Sequence, residues 1–445
     1  MSDPLLSLPQ PSATIQKPFD GDKFSRKQLA EQLTAYLYRL SSGAVLAIDA
    51  PWGEGKTWFG KNWAEHLKND SYKVIYIDAF EQDYIEDPFM LISAEIMEII
   101  DDGIVEDFKQ SSLNVTKALL PIAVKALFNV SGRVLLGTSN ITEEVSAALS
   151  ESIDESGNLM SEWIKNNLES HTQNKMAMRQ FKESLADFAQ SQDRPVVIFI
   201  DELDRCQPTF AVKLIERIKH FFDVPNLVFV LLLNREQLEK AVRGVYGNDT
   251  DAATYLGKFV NFFFQLPKPD GLDSHYAEQK YTSFIEHTFS RYQFSVDENC
   301  NTFIRYLVFW AIEYKLSLRD IEKIIAYYAF AYPVHKLNYL MVYVIMLKLK
   351  HNDLFLSLKQ NDHQAHEIAK KQIEDLIRKA EKNENSTAQR VLAMVKEWHE
   401  AHINDFKEVG ENFKAIERDL FATGTDLSGI FKYLAKKIEL TMGVQ

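Results

Sequence analysis

Two glycines, a lysine and a threonine at close spacing are the residues of this chain best suited to hold a phosphate. The segment reads Ala50-Pro51-Trp52-Gly53-Glu54-Gly55-Lys56-Thr57. Gly53 and Gly55 let the backbone curl so that successive amide N–H groups face one anion. A helix starting at this point would add the positive end of its dipole. Lys56 could then reach the β- and γ-phosphates of a nucleotide, and the Thr57 hydroxyl could ligate Mg²⁺. This is the Walker A spacing with the small residue Ala50 in place of its first glycine. Trp52, Gly53, Glu54, Gly55, Lys56, Thr57 and Trp58 together form the candidate nucleotide contact. Trp52 could shape the loop or stack near the nucleotide, while packing is the first reading for Trp58 and for Trp63. The alternative, a glycine turn that binds nothing, is disfavoured by the apolar run before the segment and the helical pattern after it.

A second cluster carries the acid–base chemistry. The apolar run Val196–Ile200 ends in Asp201-Glu202-Leu203-Asp204-Arg205, the Walker B arrangement. Asp201 would hold Mg²⁺ directly or through water. Glu202 is placed to orient and polarise an attacking water as general base. A solvated acidic loop is the alternative, and the presence of the phosphate loop weighs against it. Arg205 has two readings: it could stabilise charge on a transferring phosphoryl group, or pair with a nearby carboxylate. Asn234, which ends the run Leu227–Leu233, could hydrogen-bond the attacking water or γ-phosphate, or cap the next helix; the two are compatible. Arg319, in Leu316-Ser317-Leu318-Arg319-Asp320, could reach back to the nucleotide and couple its state to domain orientation, or be one charge on a mixed surface helix.

No Ser/His/Asp or Cys/His constellation has convincing spacing. His351, His363 and His366 lie on polar stretches and are expected at the surface. Cys206 and Cys300 stand alone, form no CxxC motif, and suit a reducing compartment.

These residues need a scaffold. Five short runs rich in Val, Ile, Leu and Phe read as buried strands: Ala44–Ile48, Val74–Ile77, Val196–Ile200, Leu227–Leu233 and Phe262–Leu266. Helical patterns at Thr57–Leu67, Pro88–Ile100, Phe210–Phe222, Glu236–Val242 and Ala252–Phe259 follow the first four. Strand–helix alternation predicts an α/β fold with a parallel sheet covered by helices. The long interval Ile104–Ser191 reads as a helical insertion rather than a bare loop. After Asp270 no strand is expected, and Thr282–Tyr292, Cys300–Tyr314, Leu318–Tyr332, Leu337–Leu358, His366–Lys382, Ala388–Ile403 and Leu427–Met442 read as helices. The resulting division is a flexible proline-rich tail over 1–18, a nucleotide-binding core over 19–270 with its helical insertion at 104–191, and an all-α C-terminal region over 271–445.

Composition sets outer limits. With 50 Lys plus Arg against 63 Asp plus Glu, the net charge is −13, which argues against a generic grip on nucleic acid. Lys370-Lys371 and Arg378–Lys382 are basic, but Glu367, Glu374, Asp375 and Glu381 interleave them, so a solvated helix face is the preferred reading. A membrane helix needs about 20 apolar residues in a row. The stretch Leu119–Leu136 is interrupted by Lys125 and Arg133, and Ile324–Leu347 by Pro333, His335, Lys336 and Asn338. Two buried helices joined near Pro333 and a cytoplasmic location are expected.

The run from Asp201 through Cys206-Gln207-Pro208, then Ala211–Asp223, then Val228–Leu238 closely resembles the KAP family of P-loop NTPases. Ala50–Thr57, with Trp52 inside it, is similar to that family's phosphate loop, and Asp78-Ala79-Phe80 and Tyr255–Pro267 fit its turn and closing strand. The resemblance covers roughly Phe19 to Tyr332 and is most specific at Asp201–Leu238. It implies a sheet of order 5-1-4-3-2, related to AAA+ and STAND ATPases, with ATP and Mg²⁺ as ligands. It carries Lys56 and Thr57 to phosphate and Mg²⁺, Asp201 to Mg²⁺ and Glu202 to water, and more loosely gives roles to Asn234 and Arg319. Asn234 departs from the Asp of many members, and Ala50 from the usual Gly. Many members also insert membrane helices between the two motifs, whereas Ile104–Ser191 carries charge throughout, against membrane anchoring here.

The resemblance implies an ATPase whose turnover drives conformational switching or assembly, with a role in bacterial phage defence suggested by a phage-exclusion member. It also implies assembly of several copies, a neighbour's Arg completing the site. The alternative is an ATP-gated interaction scaffold with little turnover. In either case an unidentified protein partner would dock on the insertion or the C-terminal region. The preference for ATP over GTP rests on the family alone.

Overall fold

Apolar runs flanked by helices form strands here because both of their faces can be buried. The computed structural model describes residues 15–40, 42–84, 88, 91–92, 95–96, 179, 181–221, 224–268, 274–292, 298–331, 337–382, 386–411 and 427–440. Its first half runs α1 (Arg26–Leu37), β1 (Ala44–Asp49), α2 (Lys56–Asn69), β2 (Val74–Asp78), β3 (Val196–Asp201), α3 (Pro208–Ile218), β4 (Leu227–Leu233), α4 (Arg235–Tyr246), α5 (Ala252–Leu256) and β5 (Phe262–Gln265). The five strands lie in the order β2-β3-β4-β1-β5 and every pairing is parallel. Read from the other edge this is 5-1-4-3-2, the expected α/β sheet.

Strand periodicity distributes the core between two faces. Val45, Ala47, Ile198, Ile200, Phe229 and Leu231 pack on one face with α3 and α4. Leu46, Ile48, Val197, Phe199, Val230 and Leu232 pack on the other with α1 and α2. Helix α1 has no counterpart in the expectations above. Its apolar stripe, Ala30, Leu33 and Leu37, at spacings of three and four, is buried against α2.

The helix expected over Pro88–Ile100 is described only at 88, 91–92 and 95–96, where the chain is helical. Of the insertion, residues 104–178 and 180 lie outside the described residues, as do residues 1–14 of the tail. The helix over 181–190 belongs to the core: Phe181, Leu185, Phe188 and Ala189 join the first sheet face.

After β5 the described residues hold only helices: α6 (Ser274–Arg291), α7 (Glu298–Glu313), α8 (Leu318–Ala331), α9 (Asn338–Lys350), α10 (Asn352–Lys359), α11 (His363–Lys382), α12 (Ser386–Ile403) and α13 (Ile430–Ile438). Leu340–Leu347 of α9 are all buried, which makes it the central helix of a second core. The single helix expected over Leu337–Leu358 is two. His351 (φ −137°, ψ 57°) breaks it, and Asn352 and Asp353, which favour helix starts, begin α10. His366 is also corrected. Rather than lying at the surface it is only 1% exposed, because it shares a buried stripe of α11 with Ala369 and Ile373, three and seven residues on. Among the described residues, no helix is long and apolar enough to cross a membrane.

Candidate functional site

The site lies at the carboxyl ends of the strands, where open α/β sheets place ligands. The chain leaves β1 at Asp49, whose carboxylate accepts from the Arg235 backbone N–H (2.9 Å) and the Gln265 side chain (2.7 Å), tying together the ends of β1, β4 and β5. The loop then curls through Gly53 (φ 83°) and Gly55 (φ 77°), conformations that disfavour any other residue. Helix α2 starts at Lys56. The Lys56 ammonium is buried and donates to the carbonyls of Ala50 (2.8 Å) and Pro51 (3.4 Å). Burial lowers its pKa, and the carboxylates of Asp204, Asp201 and Asp49 oppose that shift.

Strands β2 and β3 pair in register, so Asp201 stands opposite Asp78. Asp201 is 1% exposed and accepts from the Tyr76 hydroxyl (2.8 Å) and from the Glu202 N–H (2.8 Å), with the Thr57 hydroxyl nearby. Burial raises its pKa, and the Thr57 and Tyr76 hydroxyls work against that rise. Glu202 turns the chain with φ 58°, and its carboxylate accepts from the Arg205 guanidinium at 2.6 Å. Burial raises the Glu202 pKa as well, opposed chiefly by Arg205. Asp204 accepts from the Trp52 indole N–H, while its other oxygen is buried without a partner. The two sequence motifs therefore touch through Trp52–Asp204, with Thr57 and Asp201 close by.

This donor set fits Mg²⁺. The ion takes one or two carboxylates and fills its remaining positions with phosphate and water. A buried carboxylate with a threonine hydroxyl nearby, and the unsatisfied Oδ1 of Asp204, supply that kind of partial shell. Among the described residues no cluster of three or more His, Cys, Asp or Glu forms a closed metal cage.

The remaining expected residues fall at different places. Asn234 ends β4, between β1 and β3, and its side chain accepts from the Gln237 N–H (3.4 Å), so it caps α4. Arg205 makes the ion pair rather than standing free. Arg319 meets the loop through its backbone, whose N–H donates to Gly53 O at 3.1 Å, and its residue is exposed at the start of α8. The Trp58 ring packs edge-on against Phe19 at 5.8 Å. The Glu54 carboxylate is buried and paired with Lys268.

Three residues of the site were missed by sequence reasoning. The Arg26 guanidinium, buried at the start of α1, donates to Glu54 O (2.7 Å) and Gly55 O (3.5 Å) and so braces the curl from behind; burial lowers its pKa to about 10. Tyr76 steadies Asp201 and stacks on Phe199. Lys268, beyond β5, pairs with Glu54. Only Tyr76 had a usable signal: it lies two residues before Asp78, and therefore on the same side of β2.

The family model described as the KAP family P-loop domain matches residues 26–334. A phage T7 exclusion protein of Escherichia coli strain K12 is 24% identical over 116 residues, which is 25% of this chain and 16% of that protein. The chain thus spans well under a fifth of the length of that relative. Two solved structures align over most of their length at low similarity. The Aeropyrum pernix ORC2 protein in ADPNP–ADP complexes gives a TM-score of 0.33 at 13% identity, over 97% of each chain. A DNA replication initiation factor gives 0.31 at 10% identity, over 96% of this chain and 95% of that one.

Proposed function

The chain belongs to the KAP family of P-loop NTPases, and from that premise we propose that it binds ATP with Mg²⁺ and hydrolyses it to switch the orientation of its C-terminal helical region. The observation that carries this reading is the meeting of the two motifs at the strand ends, where Trp52 of the phosphate loop bonds Asp204 and the Thr57 hydroxyl lies near buried Asp201, with Glu202 next in the chain. Those residues come from the loop after β1, the start of α2 and the end of β3, and a parallel sheet, whose strands all end on one side, supports their meeting there.

The loop amides between Trp52 and Thr57 and the Lys56 ammonium would bind the phosphates. Thr57 and Asp201 would hold Mg²⁺, which when bound neutralises charge on the phosphoryl groups. Glu202 would accept a proton from the attacking water, and Arg205, bonded to it, sets the direction of its carboxylate. Asn234 stands at the intervening strand end with its carbonyl engaged in the cap, leaving its amide group to donate toward the nucleotide. The backbone contact of Arg319 with Gly53 supports coupling between nucleotide and helical region.

Glu202→Gln tests the assignment. Steady-state turnover should fall by about 100-fold or more, the low end of a general base's contribution, while ATP binding by equilibrium titration persists. A variant that turns over as fast as the parent removes Glu202 from the role. A second reading, an ATP-gated scaffold with little turnover, is favoured by the Glu202–Arg205 ion pair, which occupies the base. It prevails if the parent binds ATP without steady-state hydrolysis. The phage-exclusion relative supports a role in phage defence; loss of protection against phage in cells carrying Lys56→Ala would bear this out. The acidic balance supports a protein partner or further copies of the chain over nucleic acid, so turnover should not respond to added DNA.

A further inference from the structure

A carboxylate buried in the middle of a phosphate-binding loop needs an explanation. Glu54 is 4% exposed, and a buried charge is tolerated only with a partner. Its one ion pair among the described residues is with the Lys268 ammonium, at 2.6 Å. Lys268 stands three residues past the end of β5, where the chain leaves the nucleotide-binding core for the helical region. The same ammonium donates to the carbonyl of Leu316 at 3.1 Å, two residues ahead of α8.

Next to that bond the loop and the helical region are in contact. The Arg319 N–H donates to Gly53 O, and a side chain at Gly53 would stand 2.8 Å from Ser317 Oγ and 2.9 Å from Arg319 Cβ. Behind the loop, Arg26 fixes the carbonyls of Glu54 and Gly55. One ammonium therefore joins three separate pieces of chain: the phosphate loop, the exit from the core, and the entry to α8.

We propose that Lys268 is a positioning residue that neutralises Glu54 for phosphate binding and transmits occupancy of the loop to α8. The proposal rests on the ATP-binding reading above and names the residues that would couple that site to the helical region. Phosphate entering the loop brings negative charge toward the Glu54 carboxylate. The response falls on the Glu54–Lys268 bond, and because Lys268 also holds Leu316, a change in one bond acts on the other. Without the ammonium, Glu54 becomes an unpaired negative charge beside an anion site, so nucleotide affinity drops. The contacts of Gly53 with Ser317 and Arg319 then remain, but they involve no charge and do not sense the phosphate.

The experiment uses the full chain with Mg·ATP, read by equilibrium binding and by amide hydrogen exchange. In the parent, ATP should slow exchange over 50–57 and alter it over 318–331. Lys268→Met should bind ATP about tenfold more weakly, a typical coupling size, and at saturating ATP the loop should still respond while 318–331 does not. Lys268→Arg should keep both responses. Glu54→Gln combined with Lys268→Met removes both charges of the pair, and so remains testable if the single variant misfolds. It should recover most of the affinity and still show no response over 318–331. A merely structural lysine would not separate affinity from response in this way. Parent-like exchange over 318–331 in either Met variant overturns the proposal. If the parent responds over 50–57 but not over 318–331, the coupling fails while the ATP-binding reading stands. A parent that binds no ATP removes both.

Discussion

Gly60 sets how closely α2 approaches the sheet beneath it. A Cβ at that position would stand 2.1 Å from Leu232 Cδ1 and 3.1 Å from the Tyr76 hydroxyl, the group that donates to Asp201. Gly60→Ala gains about 1 kcal/mol of helix propensity, but overpacking of this kind typically costs about 1–3 kcal/mol. A shift of α2 would also move Thr57 and Lys56 at its start. The expected outcome is a lower denaturant midpoint together with weaker ATP binding. Gly244→Ala is the contrasting case. Gly244 lies inside α4, and a Cβ there would meet nothing within 4 Å, so the substitution should raise stability by roughly 0.5–1 kcal/mol. Denaturant curves of both variants check the pair. At this scale the sequence was legible where chemistry is written in consecutive residues: Lys56 and Thr57 in one loop, Asp201 and Glu202 at one strand end. It was not legible for Arg26 or Lys268, and for Tyr76 it offered only a shared strand face with Asp78. Their roles come from neighbours 28, 125 and 214 residues away, for Arg26 to Glu54, Tyr76 to Asp201 and Lys268 to Glu54, and local spacing does not name such distant partners.

At the scale of elements, Asn226 ties the return from the long insertion to the sheet. It takes φ 60° just before β4, and its carbonyl accepts from the Val196 N–H that opens β3 (2.8 Å). Its side-chain amide donates to the carbonyls of Ala189 (2.7 Å), Gln192 (3.1 Å) and Arg194 (3.3 Å). One side chain thus fastens the end of the helix over 181–190 and the turn after it against two central strands. Asn226→Ala should cost about 2–4 kcal/mol, combining lost hydrogen bonds with an unfavourable left-handed backbone. Asn226→Gly keeps the backbone freedom and loses only the bonds, so its loss should be smaller by about 1 kcal/mol. Equilibrium unfolding separates the two terms; equal losses would mean that the backbone conformation contributes nothing. The strands themselves were readable to within a residue at either end, because five unbroken apolar runs have few other uses in a chain of this polarity. Helix ends were less so. Helix α6 begins at Ser274, well before the expected Thr282, since its first turns carry polar residues. The break at His351 was hidden because apolar residues continue across it.

For the molecule as a whole, the least expected feature is a set of buried histidines far from the phosphate loop. His366 of α11 lies 2.9 Å, Nδ1 to Nδ1, from His399 of α12, whose Nε2 is 3.0 Å from the Tyr343 hydroxyl of α9. The His402 ring stacks on His366 at 4.2 Å, and Trp398 and Phe406 close around them. Burial lowers all three pKa values, with neighbouring imidazoles adding to the effect: His366 to about 3, His402 to about 4, and His399 well below the ordinary 6.5. The sign follows directly. Below pH 6.5 the unfolded chain takes up protons that the folded chain refuses, so stability is full above that value and falls as pH drops toward 4. Each histidine contributes a slope of about 1.4 kcal/mol per pH unit in that window. The exposed His363–Asp405 pair lies at the edge of the cluster. Thermal unfolding should therefore occur at a markedly lower temperature at pH 5 than at pH 7. His402→Phe, which keeps a ring in the stack, should reduce the pH dependence by about a third if the three histidines contribute equally. An unchanged slope would mean that the charge penalty lies elsewhere. Because α8 packs in the same core and meets the phosphate loop at Gly53, acid loosening of the bundle should weaken ATP binding in the parent more than in His402→Phe. Comparing ATP affinity at pH 5.5 and pH 7 in the two proteins would show whether the histidine core and the nucleotide site respond as one unit.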